Sequence, residues 1–390
     1  MKIGTLEINI NPTFPVNRML SEEKHLAVSD DLHCRIVVFE QEGLKPLFHL
    51  SIDTVEIYIT YRNRLKAGLE EKLGYSIDLI TSATHSHFCP CLTTDTAYQD
   101  FLYDRIMGSL GDIQYTEVKN PGFVYQYHFF DKTGKSRISG HDSQHVYAET
   151  LSFFDNEKRL VTFLIYNSHA TTMRMHQGDF TSEYIGKCIA ALKKQYPGEF
   201  FTFMLGPAGD ISSRFTRQSQ EYEEIGRLAG LLTDEYISQL DNQPEPKPIE
   251  RMIYREELFG LDRAPVDLSA MEMPEDLSPR EKETIEQAKS DGMHMDLGDQ
   301  PMEHLFCRWI VSPEYSMIFE PFETFSSYYG FVDKEKCSLI TISNGFDHYL
   351  AGLEPQRITM ELFMDTVTRQ TKERMAQLFA DWSAQKDVKK

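Results

Sequence analysis

Cysteine is scarce in this chain, and apart from the close pair Cys89 and Cys91 its cysteines are scattered. Six of the 390 residues are cysteine, too few for the disulfide framework that holds a small secreted domain together. We therefore expect all six thiols to be reduced. They are Cys34, Cys89, Cys91, Cys188, Cys307 and Cys337.

Long hydrophobic runs and basic clusters are also absent. The longest clean apolar run, residues 160–166, has the length of a strand, whereas a membrane-spanning helix needs roughly 20 apolar residues. The opening MKIGTLEINI lacks the apolar segment and cleavage site of a secretory signal. Lys and Arg number 40 against 60 Asp and Glu, a net charge of −20, which repels nucleic acid and anionic lipid. We expect no membrane span, no nucleic-acid partner and a cytoplasmic location.

The sequence does contain an alternation of strand-like and helix-like segments. β-branched and aromatic runs, for example residues 77–82, 160–166 and 200–205, alternate with stretches whose apolar residues recur every three to four positions. This pattern predicts an α/β fold: a mixed, largely parallel β-sheet flanked by helices, with a site at the carboxyl ends of the strands.

We predict a single domain over residues 1–390, in two halves joined by a connector at residues 243–248, QPEPKP. Proline has no amide donor, so this segment is not expected to be regular. Residues 115–147 are expected to be irregular, the acidic stretch 270–300 to be a solvated helix with loops, and residues 359–382 to form a C-terminal helix.

Two histidines follow the predicted strand 77–82 directly. In an extended backbone residues two apart point to the same side, so His85 and His87 can face one point. Neutral imidazole is a good ligand for zinc, and this spacing predicts a divalent-metal site. The alternative is one buried histidine bonded to the backbone and one exposed histidine. A four-ligand structural site with Cys89 and Cys91 is a further alternative, but Pro90 between the thiols would strain it.

His169 and a glycine-containing turn follow two other predicted strands. His169 comes just after residues 160–166, and Gly206-Pro207-Ala208-Gly209-Asp210 follows residues 200–205. Because the carboxyl ends of parallel strands meet at one edge, His169 is expected beside His85 and His87. The turn lacks the lysine and spacing of a nucleotide-binding loop. We expect the hydroxyl of Ser212 to point towards the metal site instead.

Four segments, in this order along the chain, resemble the catalytic domain of the neutral/alkaline, non-lysosomal ceramidases, which are zinc-dependent amide hydrolases. They are ITSATHSHFCP, NSHATTM with FTSEYIG, GPAGDIS and ISNGFDHYL. The resemblance covers residues 1 to about 350. We therefore expect no counterpart of the immunoglobulin-like C-terminal domain that full-length members carry.

The resemblance implies a role for each matching residue. His85, His169, Glu320 and Tyr349 would be the zinc ligands, with Glu323 as the competing carboxylate. His87 would be the acid/base or substrate-orienting imidazole and Ser212 the active-site serine. The family's substrate-binding arginine has no clear counterpart in VYQYHFFDKTG, residues 124–134, and the tyrosine that it uses downstream of Tyr349 is also missing.

The predicted function is therefore hydrolysis of an amide in an N-acyl compound, a small molecule or a single-chain amphiphile, by a Zn²⁺-activated water. Two alternatives remain. One is a non-catalytic relative that binds a metal or ligand. The other is a metal-independent serine hydrolase, with Ser212 as nucleophile and His87 or His169 as base.

Overall fold

The computed structural model describes residues 1–19, 23–138, 145–174, 178–264, 282–283, 286, 302–353, 361 and 364–384. Its strands, in chain order, are β1 (Lys2–Asn9), β2 (Val16–Asn17), β3 (Lys24–His25), β4 (His33–Glu40), β5 (Leu47–Ile52), β6 (Asp78–Ala83), β7 (Gln114–Glu117), β8 (Pro121–Phe129), β9 (Lys135–Ser136), β10 (Tyr147–Asp155), β11 (Lys158–Tyr166), β12 (Phe200–Leu205), β13 (Ile211–Ser212), β14 (Lys247–Pro248), β15 (Ile253–Gly260), β16 (Glu303–Ser312), β17 (Tyr315–Phe319), β18 (Glu323–Thr324), β19 (Cys337–Ile340) and β20 (Tyr349–Leu350). The α-helices are α1 (Ile59–Leu73), α2 (Thr96–Ser109), α3 (Glu183–Gln195), α4 (Tyr222–Asp241) and α5 (Arg369–Ser383).

Three larger sheets organise these strands. The first has the order β6-β5-β4-β1-β7, the second β12-β11-β10-β8-β14 and the third β15-β16-β17-β19. Each sheet has one parallel pair at an edge, namely β5–β6, β11–β12 and β17–β19, and its other pairs are antiparallel. The prediction of a mixed α/β fold with helices beside the sheets is confirmed.

The sheets are less parallel than we expected, because several neighbouring strands are joined by tight turns. Only two residues separate β10 from β11, and Asn156 between them has φ 54°. Such a turn can join only antiparallel strands. A parallel pair needs a crossover, and α1 provides it between β5 and β6 while α3 provides it between β11 and β12.

Several predicted boundaries need correction. The region expected to be irregular contains β8, which pairs with β10 over nine residues, in keeping with the preference of its aromatic residues for strands. Within the proline-rich connector, Lys247 and Pro248 form a short edge strand on β8, a place where proline is tolerated. The C-terminal helix begins only at Arg369, capped by Thr368. Apart from residues 282–283 and 286, the acidic stretch 270–300 lies outside the described residues.

An aromatic core lies where the three sheets meet. Trp309 of the third sheet stacks on Phe153 of the second, with ring centroids 5.6 Å apart and planes 12° apart. Phe39 of the first sheet contacts both rings. Helices α1 to α4 cover a second apolar cluster formed with strands of the first two sheets. Among the described residues no helix is both long and apolar enough to cross a membrane, and all six cysteines are buried and unpaired.

Candidate metal centre and active site

In each of the three sheets, the chain segments that follow the parallel strands lie at the carboxyl ends of these strands, and these ends are close together. His85 and His87 follow β6, His169 follows β11, and the turn 206–210 follows β12. Hydrogen bonds connect these ends, since the amide of His169 donates to the Ile211 carbonyl at 3.0 Å. The third sheet joins them, because the amide of Thr341, just after β19, donates to the Leu205 carbonyl at 2.8 Å.

The three predicted imidazoles lie together at this edge. One ligand nitrogen from each of His85, His87 and His169 lies within 4.8 Å of the others. Nε2 of His87 is 3.3 Å from Nε2 of His85, and the His85 and His169 rings have centroids 4.7 Å apart. The structure thus brings these histidines together, while their roles as ligands or acid/base groups stay predictions.

Backbone carbonyls fix the protonation pattern of two of these rings. Nδ1 of His85 lies 2.8 Å from the Val55 carbonyl, and Nδ1 of His169 lies 2.8 Å from the Ala208 carbonyl. A carbonyl oxygen can only accept, so each Nδ1 carries the proton and each neutral ring has a lone pair at Nε2. This arrangement is usual for histidines that ligate metal ions.

Glu323 is the carboxylate that meets the imidazoles. Its Oε2 lies 3.1 Å from Nε2 of His169 and 3.5 Å from Nε2 of His85. Burial raises the pKa of Glu323, but the neighbouring His85 and His169 outweigh it and hold that pKa well below its usual range. Glu323 thus faces the cluster as a charged group.

Glu320, the carboxylate that the family resemblance placed first, has other partners. Its carboxylate accepts the Phe322 amide at 2.8 Å and the Thr324 hydroxyl at 2.8 Å. Burial raises its pKa to about 8. The structure therefore favours Glu323, the competing carboxylate, because β17 ends before Glu320 and the chain turns at Pro321 before β18 reaches the histidines.

The pKa values of the imidazoles differ with their neighbours. Burial lowers the pKa of His85, but Glu323 and the Val55 carbonyl outweigh it, so the net shift is upward. For His87, burial and the other two histidines all lower the pKa, which lies well below the usual value. Nδ1 of His87 is buried and has no hydrogen-bond partner among the described residues.

Tyr349 lies on the other side of Glu323. Strands β18 and β20 pair in parallel with Glu323 opposite Tyr349, and the Tyr349 and His169 rings have centroids 6.5 Å apart. Burial and then Glu323 raise the pKa of Tyr349, while the Arg137 guanidinium opposes that rise. The structure thus brings the predicted tyrosine to the centre.

Arg137 is a site residue that the sequence did not reveal. Its guanidinium lies beside Tyr349, pairs with Glu361 at 2.8 Å and donates to the Gly209 carbonyl. Residues 124–134, where the resemblance places the family's substrate-binding arginine, contain no arginine, and Arg137 follows just after them. Arg137 directly follows β9, which pairs with β13, the strand that holds Ser212. Nothing in the local sequence marks this long-range pairing.

Ser212 lies next to His169 through a backbone bridge. Its Oγ accepts from the Arg214 amide at 3.4 Å, and among the described residues no imidazole forms a hydrogen bond with it. The two nearby cysteines have other partners, since Cys89 Sγ contacts the Thr181 carbonyl and Cys91 Sγ contacts Thr93 Oγ1. The structure therefore supports neither a serine–histidine pair nor a four-ligand site with Cys89 and Cys91.

The donor set fits a divalent metal ion. With both imidazoles neutral, the Nε2 lone pairs of His85 and His169 and the Glu323 carboxylate converge with no proton between them and would repel one another. A cation placed among them removes this repulsion, and two imidazole nitrogens with a carboxylate oxygen are the ligands that Zn²⁺ commonly takes in catalytic sites.

Comparison with known proteins adds information on the fold. No protein-family model matches the chain, and no curated protein sequence matches it. A solved structure of a ceramidase complexed with C2 matches with a TM-score of 0.75 and 13% identity, over 98% of this chain and 74% of that one. The neutral ceramidase from Pseudomonas aeruginosa matches with a TM-score of 0.73 and 14% identity, over the same shares. This chain has a neutral ceramidase-like fold.

Proposed function

We propose that this chain is a zinc-dependent hydrolase that cleaves the amide bond of an N-acyl compound. The observation that carries this proposal is the convergence of two imidazole nitrogens on one buried carboxylate oxygen, with His169 Nε2 and His85 Nε2 at 3.1 and 3.5 Å from Glu323 Oε2. The likeness of the fold to ceramidases supports the same reaction class.

His85, His169, Glu323 and Tyr349 would hold the metal ion. When bound, Zn²⁺ supplies a Lewis acid that polarises a carbonyl group and makes a water molecule a nucleophile near neutral pH. Glu323 replaces Glu320 in the ligand set predicted from the sequence, because Glu323 alone of the two contacts the histidines.

Three further residues would act on the substrate. His87 has a buried nitrogen without a partner among the described residues, so it can take up a proton and return it to the departing amine. Ser212 can donate its hydroxyl proton to the carbonyl oxygen of the substrate. Arg137 brings a fixed positive charge beside Tyr349 and would stabilise negative charge that develops on that oxygen.

The substrate class follows in part from charge. A net charge of −20 disfavours close approach to an anionic lipid surface. We therefore propose a small or single-chain N-acyl compound, delivered from solution, rather than a two-tailed lipid that is extracted from a membrane.

Amine release from a panel of N-acyl compounds tests the proposal. We expect the purified protein to release amine, a strong chelator to abolish that release, and zinc to restore it, with His85→Ala inactive at every zinc concentration. Activity that survives complete metal removal and is lost in Ser212→Ala would favour the serine hydrolase. One bound metal ion per chain without turnover of any compound would favour the non-catalytic binder.

A further inference from the structure

Beside the metal centre lies a buried carboxylate that the proposed reaction does not use. Glu56 is 6% exposed, and it directly follows Val55, whose carbonyl holds His85. Thr93 Oγ1 donates to Glu56 Oε1 at 2.8 Å. Glu56 thus lies one residue from the support of a proposed metal ligand, without being part of the histidine cluster.

Glu56 has no cationic partner among the described residues. Glu224, which is 5% exposed, pairs with Arg227. Buried carboxylates without a cation can instead accept a backbone amide, as Glu183 accepts that of Thr172 and Glu320 that of Phe322. Within the described ranges Glu56 receives only side-chain hydroxyl groups.

A charged carboxylate that is buried without a cationic partner is energetically costly, since charge inside a protein is normally paired. Burial raises the pKa of Glu56, and the hydroxyl groups of Thr93 and Tyr58 only partly oppose this rise. An incoming positive charge would lower the cost. The position therefore favours a cationic ligand over a neutral or anionic one.

An exposed aromatic residue borders this carboxylate, since the Tyr58 hydroxyl donates to Glu56. The Tyr58 ring, two residues beyond Glu56 and 42% exposed, stacks on Phe346 with centroids 6.0 Å apart and planes 22° apart. Phe346 in turn contacts His348 at 6.1 Å. Aromatic faces beside a carboxylate are the surroundings in which organic ammonium groups bind, through cation–π attraction and an ion pair.

We propose that Glu56, Tyr58 and Phe346 form a subsite for an organic ammonium group on the amine portion of the substrate. The inference rests on the proposed function and narrows its substrate class to N-acyl compounds whose amine portion keeps a second, charged nitrogen after acylation. Phe346 lies three residues before Tyr349, so one short chain segment contributes to both this subsite and the proposed metal centre.

A matched pair of substrates tests this subsite. One is a monoacylated short diamine, which ends in an ammonium group, and the other is the N-acyl amino alcohol of the same length and acyl chain. We expect the wild-type kcat/KM to be about tenfold or more higher for the diamine, the size of one charged hydrogen bond. In Glu56→Gln this ratio should fall to about one.

Two further variants sharpen the test. Glu224→Gln removes a carboxylate of similar burial that already has its cation, and it should keep the wild-type ratio. Tyr58→Leu removes the exposed aromatic face without removing a helix cap, because the Tyr58 side chain caps nothing, and it should lower the ratio. Equal kcat/KM for both substrates in the wild type, or an unchanged ratio in Glu56→Gln, would overturn the inference.

A binding measurement distinguishes a failure of this inference from a failure of the proposed reaction. If no N-acyl compound of the panel is cleaved, the hydrolase proposal fails, and the two matched compounds then serve as ligands for calorimetry with the purified protein. Tighter binding of the diamine that is lost in Glu56→Gln upholds the subsite, and equal binding overturns it. One metal ion fewer in Glu56→Gln than in the wild type would also overturn it, because Glu56 would then be a metal ligand.

Discussion

At the scale of single residues, Glu320 and Glu323 have opposite environments although only two residues separate them. Glu323 faces two imidazoles that hold its pKa well below the usual range. Glu320 faces an amide and a hydroxyl, and burial raises its pKa to about 8. The sequence could not distinguish them, because both follow β17 and both are acidic. The turn at Pro321 decides which one reaches the histidines.

The raised pKa of Glu320 predicts a pH-dependent stability. Between about pH 4.5 and 8, Glu320 keeps its proton in the folded protein, whereas an unfolded chain has released it. The folded state then binds more protons than the unfolded state. The contribution of Glu320 to the free energy of unfolding therefore falls as pH rises, by about 1.4 kcal/mol per pH unit. Glu320→Gln should remove this contribution.

Urea unfolding of the wild type and Glu320→Gln across this pH window measures the effect. The stability of Glu320→Gln relative to the wild type should increase with pH up to about 8 and then stay constant. A difference that does not change with pH would show that Glu320 titrates at its ordinary pKa.

The backbone at Gly209 passes so close to the segment that contains Glu323 that a side chain would not fit there. A Cβ atom at Gly209 would lie 2.3 Å from the Glu323 carbonyl oxygen and 2.9 Å from Phe325. Gly209→Ala should therefore lower the free energy of unfolding by about 1–3 kcal/mol and weaken zinc binding. Gly226→Ala is the control, since a Cβ there meets nothing within 4 Å and its helix should become slightly more stable. Thermal unfolding and zinc titration of both variants check this.

At the scale of secondary-structure elements, the strand–helix–strand units were predictable and the hairpins were not. α1 between β5 and β6, and α3 between β11 and β12, follow apolar periodicities that are visible in the sequence. In β8, buried and exposed residues do not alternate regularly, so the sequence showed no alternation of apolar and polar residues that would predict a strand there. Tyr349 was predicted only through the family resemblance, because a single tyrosine has no characteristic spacing. Arg137 was not predicted, because it reaches the site through the long-range pairing of β9 with β13.

A buried ion cluster anchors the strand that holds Tyr349. Asp347 accepts from His304 at 2.5 Å and from Arg263, and it also accepts the His348 amide at 2.6 Å. We expect Asp347→Asn to loosen the β18–β20 ladder and weaken zinc binding by about 10–100-fold, as loss of groups that orient metal ligands usually does.

Asp53→Asn is the matched control for Asp347→Asn. Asp53 is also buried and pairs with Arg35, and among the described residues it has no hydrogen bond or ion pair with the strands of Glu323 or Tyr349. Both variants should be less stable than the wild type, whereas only Asp347→Asn should bind zinc less tightly in a chelator competition assay. Equal zinc affinity in the two variants would contradict this role of Asp347.

At the scale of the whole molecule, Glu149 joins the second and third sheets. This buried carboxylate on β10 accepts from Tyr125 of the second sheet and, across the interface, from Tyr329, Ser338 and Lys334. Glu149→Gln leaves the Lys334 ammonium buried without its counter-charge. The free energy of unfolding should fall by about 3–5 kcal/mol, measured by urea denaturation, and a loss below about 1 kcal/mol would contradict this.

The metal content of the protein tests the central claim most directly. Wild-type protein, Glu323→Gln and Glu320→Gln should be purified without added metal and then compared by elemental analysis and zinc titration. We predict about one tightly bound zinc per chain in the wild type and in Glu320→Gln, and zinc affinity at least about 100-fold lower in Glu323→Gln. Wild-type protein that binds no divalent metal, or a Glu323→Gln variant that binds zinc as tightly as the wild type, would contradict the account.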